Sequence, residues 1–227
     1  MKLTIDRSDL LRALSHVQSV VERRNTIPIL SNVLLSASSG SLQLTATDLD
    51  IEAVDAADAQ VDQEGGLTAP AQTLFDVVRK LPETAEVQLE FLPDNQRLSI
   101  QAGRSRFALP TLPAADFQTM NKDEGTVSFS IDVADLKRLI DKTRFAISTE
   151  ETRYYLNGVY LHVAEGEDGA KLRAVATDGH RLALSEIDAP QGCEGLPGVI
   201  IPRKAVSEIR RLIDGYDGVI EVSASEA

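Results

Sequence analysis

Thr177, Asp178, His180 and Ser185 are the residues of this sequence best placed to do chemistry, two hydroxyls, a carboxylate and an imidazole within nine positions. A histidine oriented by a carboxylate can activate a hydroxyl for acyl transfer. Spacing alone does not make a catalytic pair of two residues on one turn, and the signals that would support one are missing. The sequence has no nucleophile-elbow glycine pattern, no phosphate-binding glycine loop and no metal-ligand spacing. His16, His162 and His180 are scattered, which argues against a metal site, and the single cysteine, Cys193, sits between Gly192 and Glu194 as a loop residue would. The expectation is a protein without catalysis, metal or cofactor. Binding suits the same stretch better: in Gly179-His180-Arg181-Leu182 an arginine and an apolar side chain lie beside a glycine turn, an edge able to anchor a peptide.

The elements that hold this edge read as strands. An apolar alternating run enters Val175-Ala176-Thr177-Asp178 and another leaves through Arg181-Leu182-Ala183, the pattern of a hairpin with a tight Asp-containing connection. Thr45–Ala53 repeats it around Thr47-Asp48, 130 positions earlier. The echo extends to both sides. Asp6–Leu14 precedes Asp132–Ile140 by 126 positions, and Pro70 precedes Pro202 by 132. Amphipathic runs follow both prolines, Leu74/Val77/Leu81 and Val206/Ile209/Ile213. Landmarks in one order with slowly drifting offsets imply a duplicated domain, with boundaries at 1–125 and 126–227.

Each domain reads as two strand-helix-strand-strand-strand units. Met1–Ile5 alternates as a strand, Asp6 is placed to cap a helix with its carboxylate, and Leu10, Leu14, Val17 and Val21 share one helical face. Strands follow at Asn32–Ser38, Ser41–Thr47 and from Ile51, and Gln63-Glu64-Gly65-Gly66 is expected to break the pattern. A strand at Leu67–Ala69, a helix over Gln72–Leu81 and strands at Glu86–Leu92, Arg97–Ala102 and Ser105–Leu109 complete the first domain. Leu112–Phe117 and Asn121–Gly125 read as the linker. In the second, an Asp132-capped helix precedes strands at Leu156–Val163, Lys171–Thr177, from Arg181, and at Val199–Ile201. Helix Arg203–Ile213 and strand Val219–Ser223 follow. One helix per four strands puts helices on one face of antiparallel sheets, an α+β fold. The second domain has two strands fewer than the first, so the chain is expected to be a piece of a longer protein with an uncovered sheet edge.

The formal charge of −12 taken alone argues against nucleic acid. Its distribution points the other way. The helical segments with their edges, 7–24, 72–80, 133–144 and 203–211, hold 14 basic and 6 acidic residues, a net +8, and the remaining 9 basic and 29 acidic residues leave −20 elsewhere. Helices sharing one side would make that side positive and the other strongly negative. A charged N-terminus, no apolar run of membrane-spanning length and one cysteine fit a cytoplasmic protein.

Arg153-Tyr154-Tyr155-Leu156-Asn157-Gly158, Thr177-Asp178-Gly179-His180-Arg181-Leu182-Ala183 and Pro202-Arg203-Lys204 together resemble the bacterial DNA polymerase III beta subunit family, the replication sliding clamps. Gly103–Phe107 and Thr111–Phe117 resemble it as well, so the likeness covers the whole chain in one register. The resemblance implies a DNA-clamp fold in which three such domains make a protomer and two protomers a head-to-tail ring, antiparallel sheets outside and helices inside around duplex DNA. It implies that Arg24, Tyr154, Tyr155, Arg203 and Lys204 face DNA without reading its sequence. Leu156, Thr177, Gly179, His180, Arg181 and Leu182 would form part of a pocket for short motifs of polymerases, the clamp loader and repair proteins. Arg97, Arg104, Arg106, Phe107 and Leu109 would lie at the ring interface, whose partner surface belongs to a third domain. These 227 residues by themselves are then expected not to close the ring. The alternative is a stand-alone acidic peptide-binding scaffold that does not enclose DNA.

Overall fold

The computed structural model describes residues 1–22, 26–120, 127–150, 152–166 and 169–225. The chain divides into two compact units, Met1–Asn121 and Lys122–Ala227. Unit 1 runs β1 (Lys2–Asp6), α1 (Arg7–Val17), β2 (Asn32–Ser38), β3 (Ser41–Thr47), β4 (Glu52–Asp58), β5 (Gln60–Gln63), β6 (Gly65–Pro70), α2 (Ala71–Lys80), β7 (Glu86–Leu92), β8 (Arg97–Ala102), β9 (Ser105–Pro110) and β10 (Leu112–Pro113). Unit 2 runs β11 (Val127–Asp132), α3 (Val133–Thr143), β12 (Gly158–Gly166), β13 (Gly169–Thr177), β14 (Leu182–Asp188), β15 (Val199–Pro202), α4 (Arg203–Leu212) and β16 (Val219–Ala224).

Among the described residues unit 1 has two antiparallel sheets, ordered β5-β1-β7-β8-β9 and β10-β6-β2-β3-β4. Their inner faces and the helices share one core. Leu10, Leu14 and Val17 of α1 and Leu74 and Val78 of α2 are fully buried against Leu3, Leu35, Leu44, Leu89 and Ile100. These helices are short, so packing of their apolar face supplies most of their stability. Unit 2 repeats the plan with sheets β14-β13-β12-β15 and β11-β16, closed over a core that includes Leu139, Leu172, Ala174 and Val206. β16 pairs with β11 alone among the described residues. An apolar cleft of about 480 Å³, lined by Leu139, Ile140, Val206, Ile213 and Val222, opens beside it.

Several local expectations are corrected. Asp6 occupies the N-cap position, but its carboxylate takes no hydrogen bond from the first turn of α1. The contacts there come from Arg7, whose backbone N–H donates to the Ala85 carbonyl (3.0 Å) and whose guanidinium donates to the carbonyls of Val78 (3.1 Å) and Arg79 (2.6 Å) in the last turn of α2. Asp132 does cap, Oδ1 accepting from the Ala134 N–H at 2.8 Å. Gly65 and Gly66 do not interrupt the sheet. They lie in β6 opposite Ala37 and Ser36, and a Cβ on Gly66 would come 3.4 Å from the side chain of Ala114. Helix α1 ends at Val17, well short of residue 24, and Leu156 lies in a 3-10 turn, Tyr154–Leu156, rather than opening β12.

Candidate peptide and nucleic-acid interface

The two Thr-Asp hairpins are built from the same hydrogen bonds. In unit 2 the Thr177 hydroxyl donates to the Arg181 carbonyl (2.7 Å) and accepts from the Gly179 N–H (3.1 Å), while Asp178 Oδ1 accepts from the N–H groups of His180 and Arg181 (both 3.0 Å). In unit 1 the Thr47 hydroxyl donates to the Ile51 carbonyl (2.9 Å) and accepts from the Leu49 N–H (3.0 Å), and Asp48 Oδ1 accepts from Asp50 (3.0 Å) and Ile51 (2.8 Å). Short polar side chains here replace the backbone bonds that a reversal leaves open. The residue after Asp is left-handed in both, Gly179 at φ +90° and Leu49 at φ +79°. Leucine resists that conformation, whereas glycine accepts it and leaves the backbone bare.

Asp178 has its remaining oxygen on Arg181, Oδ2 to Nε at 2.9 Å. Both carboxylate oxygens are thus committed to the hairpin itself, and the Thr177 hydroxyl is committed to the backbone, so the hydroxyl–carboxylate–imidazole set has the geometry of a braced turn. Cys193 is buried, and burial pushes its thiol up, away from the reactive thiolate. Hydrogen bonds from the His180 and Arg181 backbone, then the Arg181 side chain, hold Asp178 down at about 2 against an ordinary 3.8. A depressed carboxyl contributes stability that is complete above its unfolded pKa and is lost as pH falls through the folded one. The amide resonances of His180 and Arg181 are therefore expected to titrate with a midpoint near pH 2 in an NMR series. A midpoint near 3.8 would show the brace is not formed.

Around the hairpin the expected residues come together. The register Tyr160↔Val175 brings the start of β12 level with Thr177, so the Tyr154–Leu156 turn lies beside the hairpin. The Arg153 guanidinium sits over Gly179, 3.4 Å from where a Cβ would be, and Arg153 Nε is paired with Glu150 at 3.2 Å. Leu182 is 66% exposed and Leu156 half-buried, so both keep apolar surface open to solvent. Besides its bond to Asp178, Arg181 lies over the ring of Phe145 at 5.6 Å. Arg153 and Phe145 were not visible as site residues in the sequence. Only their folding onto Gly179 and Arg181 reveals them.

Tyr154 and Tyr155 project from the same turn, 79% and 56% exposed, their rings edge to face at 5.7 Å. Arg203 opens α4, its N–H donating to the Asn157 carbonyl (2.8 Å) and its guanidinium to that of Ser148 (2.6 Å), so it also ties down the loop before the tyrosines. Lys204 follows it on the helix. Arg24 lies outside the described residues. In unit 1, Arg97 donates to the Ala108 carbonyl (3.2 Å) and Arg106 to Gln101 Oε1 (2.8 Å), Arg104 is in the β8–β9 turn, and Phe107 stands 40% exposed on the edge strand β9. Leu109, next but one on the same strand, is 7% exposed and packs in the unit 1 core.

The comparisons with known proteins agree over both units. The beta sliding clamp of Caulobacter vibrioides (strain NA1000 / CB15N) is 60% identical over 225 residues, 99% of this chain and 60% of the relative. A crystal structure of the C. crescentus beta sliding clamp superposes with a TM-score of 0.97 at 60% identity, covering 99% of this chain and 60% of that one. A DnaN sliding clamp from Bartonella birtlesii bound to griselimycin superposes at 0.95 with 48% identity, covering 100% of this chain and 60% of that one. The chain thus spans about 60% of the length of these relatives. The family descriptions that fit are DNA polymerase III beta subunit, N-terminal domain, over residues 1–121 and central domain over 130–227. By sequence, fold and the order of its two domains, the chain belongs to the DNA polymerase III beta subunit family.

Proposed function

We propose that this chain serves in a DNA sliding clamp, a non-catalytic processivity factor that encloses duplex DNA and tethers the replicative polymerase, the clamp loader and repair proteins. The observation that carries this reading is the repeated unit itself. Two copies of one fold, both matched by the family, each place basic helices against antiparallel sheets. Closure into a two-protomer ring in the cytoplasm would hold DNA by topology, so the lining need only screen phosphates. Tyr154, Tyr155, Arg203 and Lys204 are the described residues assigned to DNA. Leu156, Thr177, Gly179, His180, Arg181 and Leu182 are assigned to the tethered peptides, with Arg153 added as a rim cation. Arg97, Arg104, Arg106 and Phe107 are assigned to the ring interface.

Binding of these 227 residues to a short duplex tests the DNA part. It is expected to be weak, indifferent to sequence and steeply weakened by salt, because counterion release drives it. Lys204→Glu should lower affinity equally for duplexes of different sequence and reduce the salt slope by about 1. Sequence-dependent loss, or an unchanged slope, would remove Lys204 from the DNA-facing set.

A further inference from the structure

The charge of Arg203 and its contacts point in different directions. It opens α4 with Lys204 behind it and no acid in the first turn, so two cations stand at the positive end of the helix dipole, an unfavourable place unless they are used. Lys204 is assigned to phosphate. The Arg203 guanidinium is spent inside the protein, its Nη2 donating at 2.6 Å to the carbonyl of Ser148, a residue 2% exposed. Arg7 uses the same device. It too is the first residue of its helix, and its guanidinium is committed to the carbonyls of Val78 and Arg79, where it joins two segments and no ligand is assigned.

Ser148 is the knot of the loop that carries both proposed sites. Its N–H donates to the Leu156 carbonyl (3.0 Å), and its hydroxyl accepts from the N–H of Glu150 (3.1 Å), whose carboxylate pairs with Arg153. The 3-10 turn runs on from there, the Leu156 N–H donating to the Arg153 carbonyl (2.8 Å) and the Asn157 N–H to that of Tyr154 (3.0 Å). It closes where the Asn157 carbonyl accepts from the Arg203 N–H (2.8 Å). Arg203 thus grips the loop at both ends, Ser148 by its side chain and Asn157 by its backbone. Unit 1 supplies the comparison. The ladder pair Asn32↔Pro70 corresponds to Gly158↔Pro202, so Ala71 stands where Arg203 stands and Pro28-Ile29-Leu30 where Tyr154-Tyr155-Leu156 stand. The arginine and the tyrosines occur together in one unit and are absent together from the other.

We propose, resting on the assignment of DNA and peptide to this turn, that Arg203 is a positioning residue: it serves nucleic acid by holding Tyr154 and Tyr155 in place rather than by meeting phosphate, and through Leu156 on the same turn it also sets the peptide pocket. Lys204 keeps the phosphate contact. A phosphate contact needs only the charge, whereas gripping Ser148 needs the reach and the planar donor fork of a guanidinium, which lysine lacks.

Arg203→Lys separates the two roles, since it keeps the charge. Without any ligand, hydrogen exchange at the Ser148 and Leu156 amides should quicken about tenfold in this variant, with β13 unchanged, and should stay at the parent rate in Lys204→Gln. Affinity for a short duplex at low salt should fall about fivefold with the salt slope unchanged, and affinity for an extended peptide carrying a glutamine and two bulky apolar residues about threefold. In a protein already carrying Tyr154→Ala and Tyr155→Ala, Arg203→Lys should cost no further duplex affinity, as residues acting as one unit require. Parent-like exchange at Ser148 and Leu156, faster exchange throughout β13, duplex binding lost in Arg203→Gln but fully kept in Arg203→Lys, an unchanged peptide affinity, or duplex losses that add across the tyrosine and arginine variants would each overturn the proposal. Should the parent protein bind neither duplex nor peptide, the ligand assignments fall, and the exchange rates alone decide whether Arg203 holds the turn.

Discussion

Gly158→Ala is expected to collapse the unit 2 site rather than adjust it. Gly158 pairs with Pro202 in the β12–β15 ladder, and a Cβ there would lie 2.9 Å from the Ile201 carbonyl carbon and 2.7 Å from Ile200 Cγ2. The first of these is backbone and cannot rotate away, so the strands must separate. Overpacking of this kind costs about 3 kcal/mol. What separates is more than a strand pair: the Arg203 N–H bond to Asn157 and the Arg203 guanidinium bond to Ser148 both span this ladder, and they hold the turn that carries Tyr154, Tyr155 and Leu156. Unit 2 is expected to lose roughly 12 °C or more of melting temperature, at about 4 °C or more per kcal/mol for a unit this size. DNA and peptide contacts should weaken together. A melting temperature within about 2 °C of the parent would mean the β12–β15 approach is not as close as described.

Leu89→Ala is expected to act on the other unit alone. Leu89 is fully buried on β7, opposite Leu3 and Ile100, so truncation leaves a cavity costing about 2–5 kcal/mol. The units have separate cores, and the loss should fall on unit 1. Residue-resolved hydrogen exchange would show it as faster exchange throughout β1, β7 and β8 with β12 and β13 unchanged. Equal acceleration in both units would show that they unfold as one.

The repeat, the four helices and the Thr-Asp hairpins were legible in the sequence because each rests on local chemistry. A side chain that braces its own turn needs only its neighbours in the chain, and an amphipathic stripe needs only its period. The Gly65-Gly66 strand was not, since its glycines face residues distant in the chain, Gly65 at φ +148° beside Met1 and Gly66 beside Ala114. Asp6 and Asp132 look alike in sequence, yet only Asp132 caps with its side chain. Near Asp6, whose carboxylate makes no capping bond, Arg7 bonds to the α2 segment through its backbone and side chain. Leu49 and Gly179 show the limit from the other side. The same turn carries leucine at φ +79° in one copy and glycine at φ +90° in the other, a difference the local turn chemistry did not give. Leu109 and Phe107 share one face of β9, yet Leu109 is 7% and Phe107 40% exposed, a difference that strand parity alone does not give.

The account stands most directly on the hairpin edge as a peptide site. An extended peptide carrying a glutamine and two bulky apolar residues, titrated into the protein and followed by NMR, should shift Leu156 and Thr177–Leu182 with a Kd of high micromolar or weaker, since truncating central anchors typically costs about 2 kcal/mol each. Those shifts should disappear in Leu156→Ala. Shifts centred instead on Gly65–Pro70 or on Leu112–Phe117, or shifts at the hairpin that persist unchanged in Leu156→Ala, would contradict the assignment.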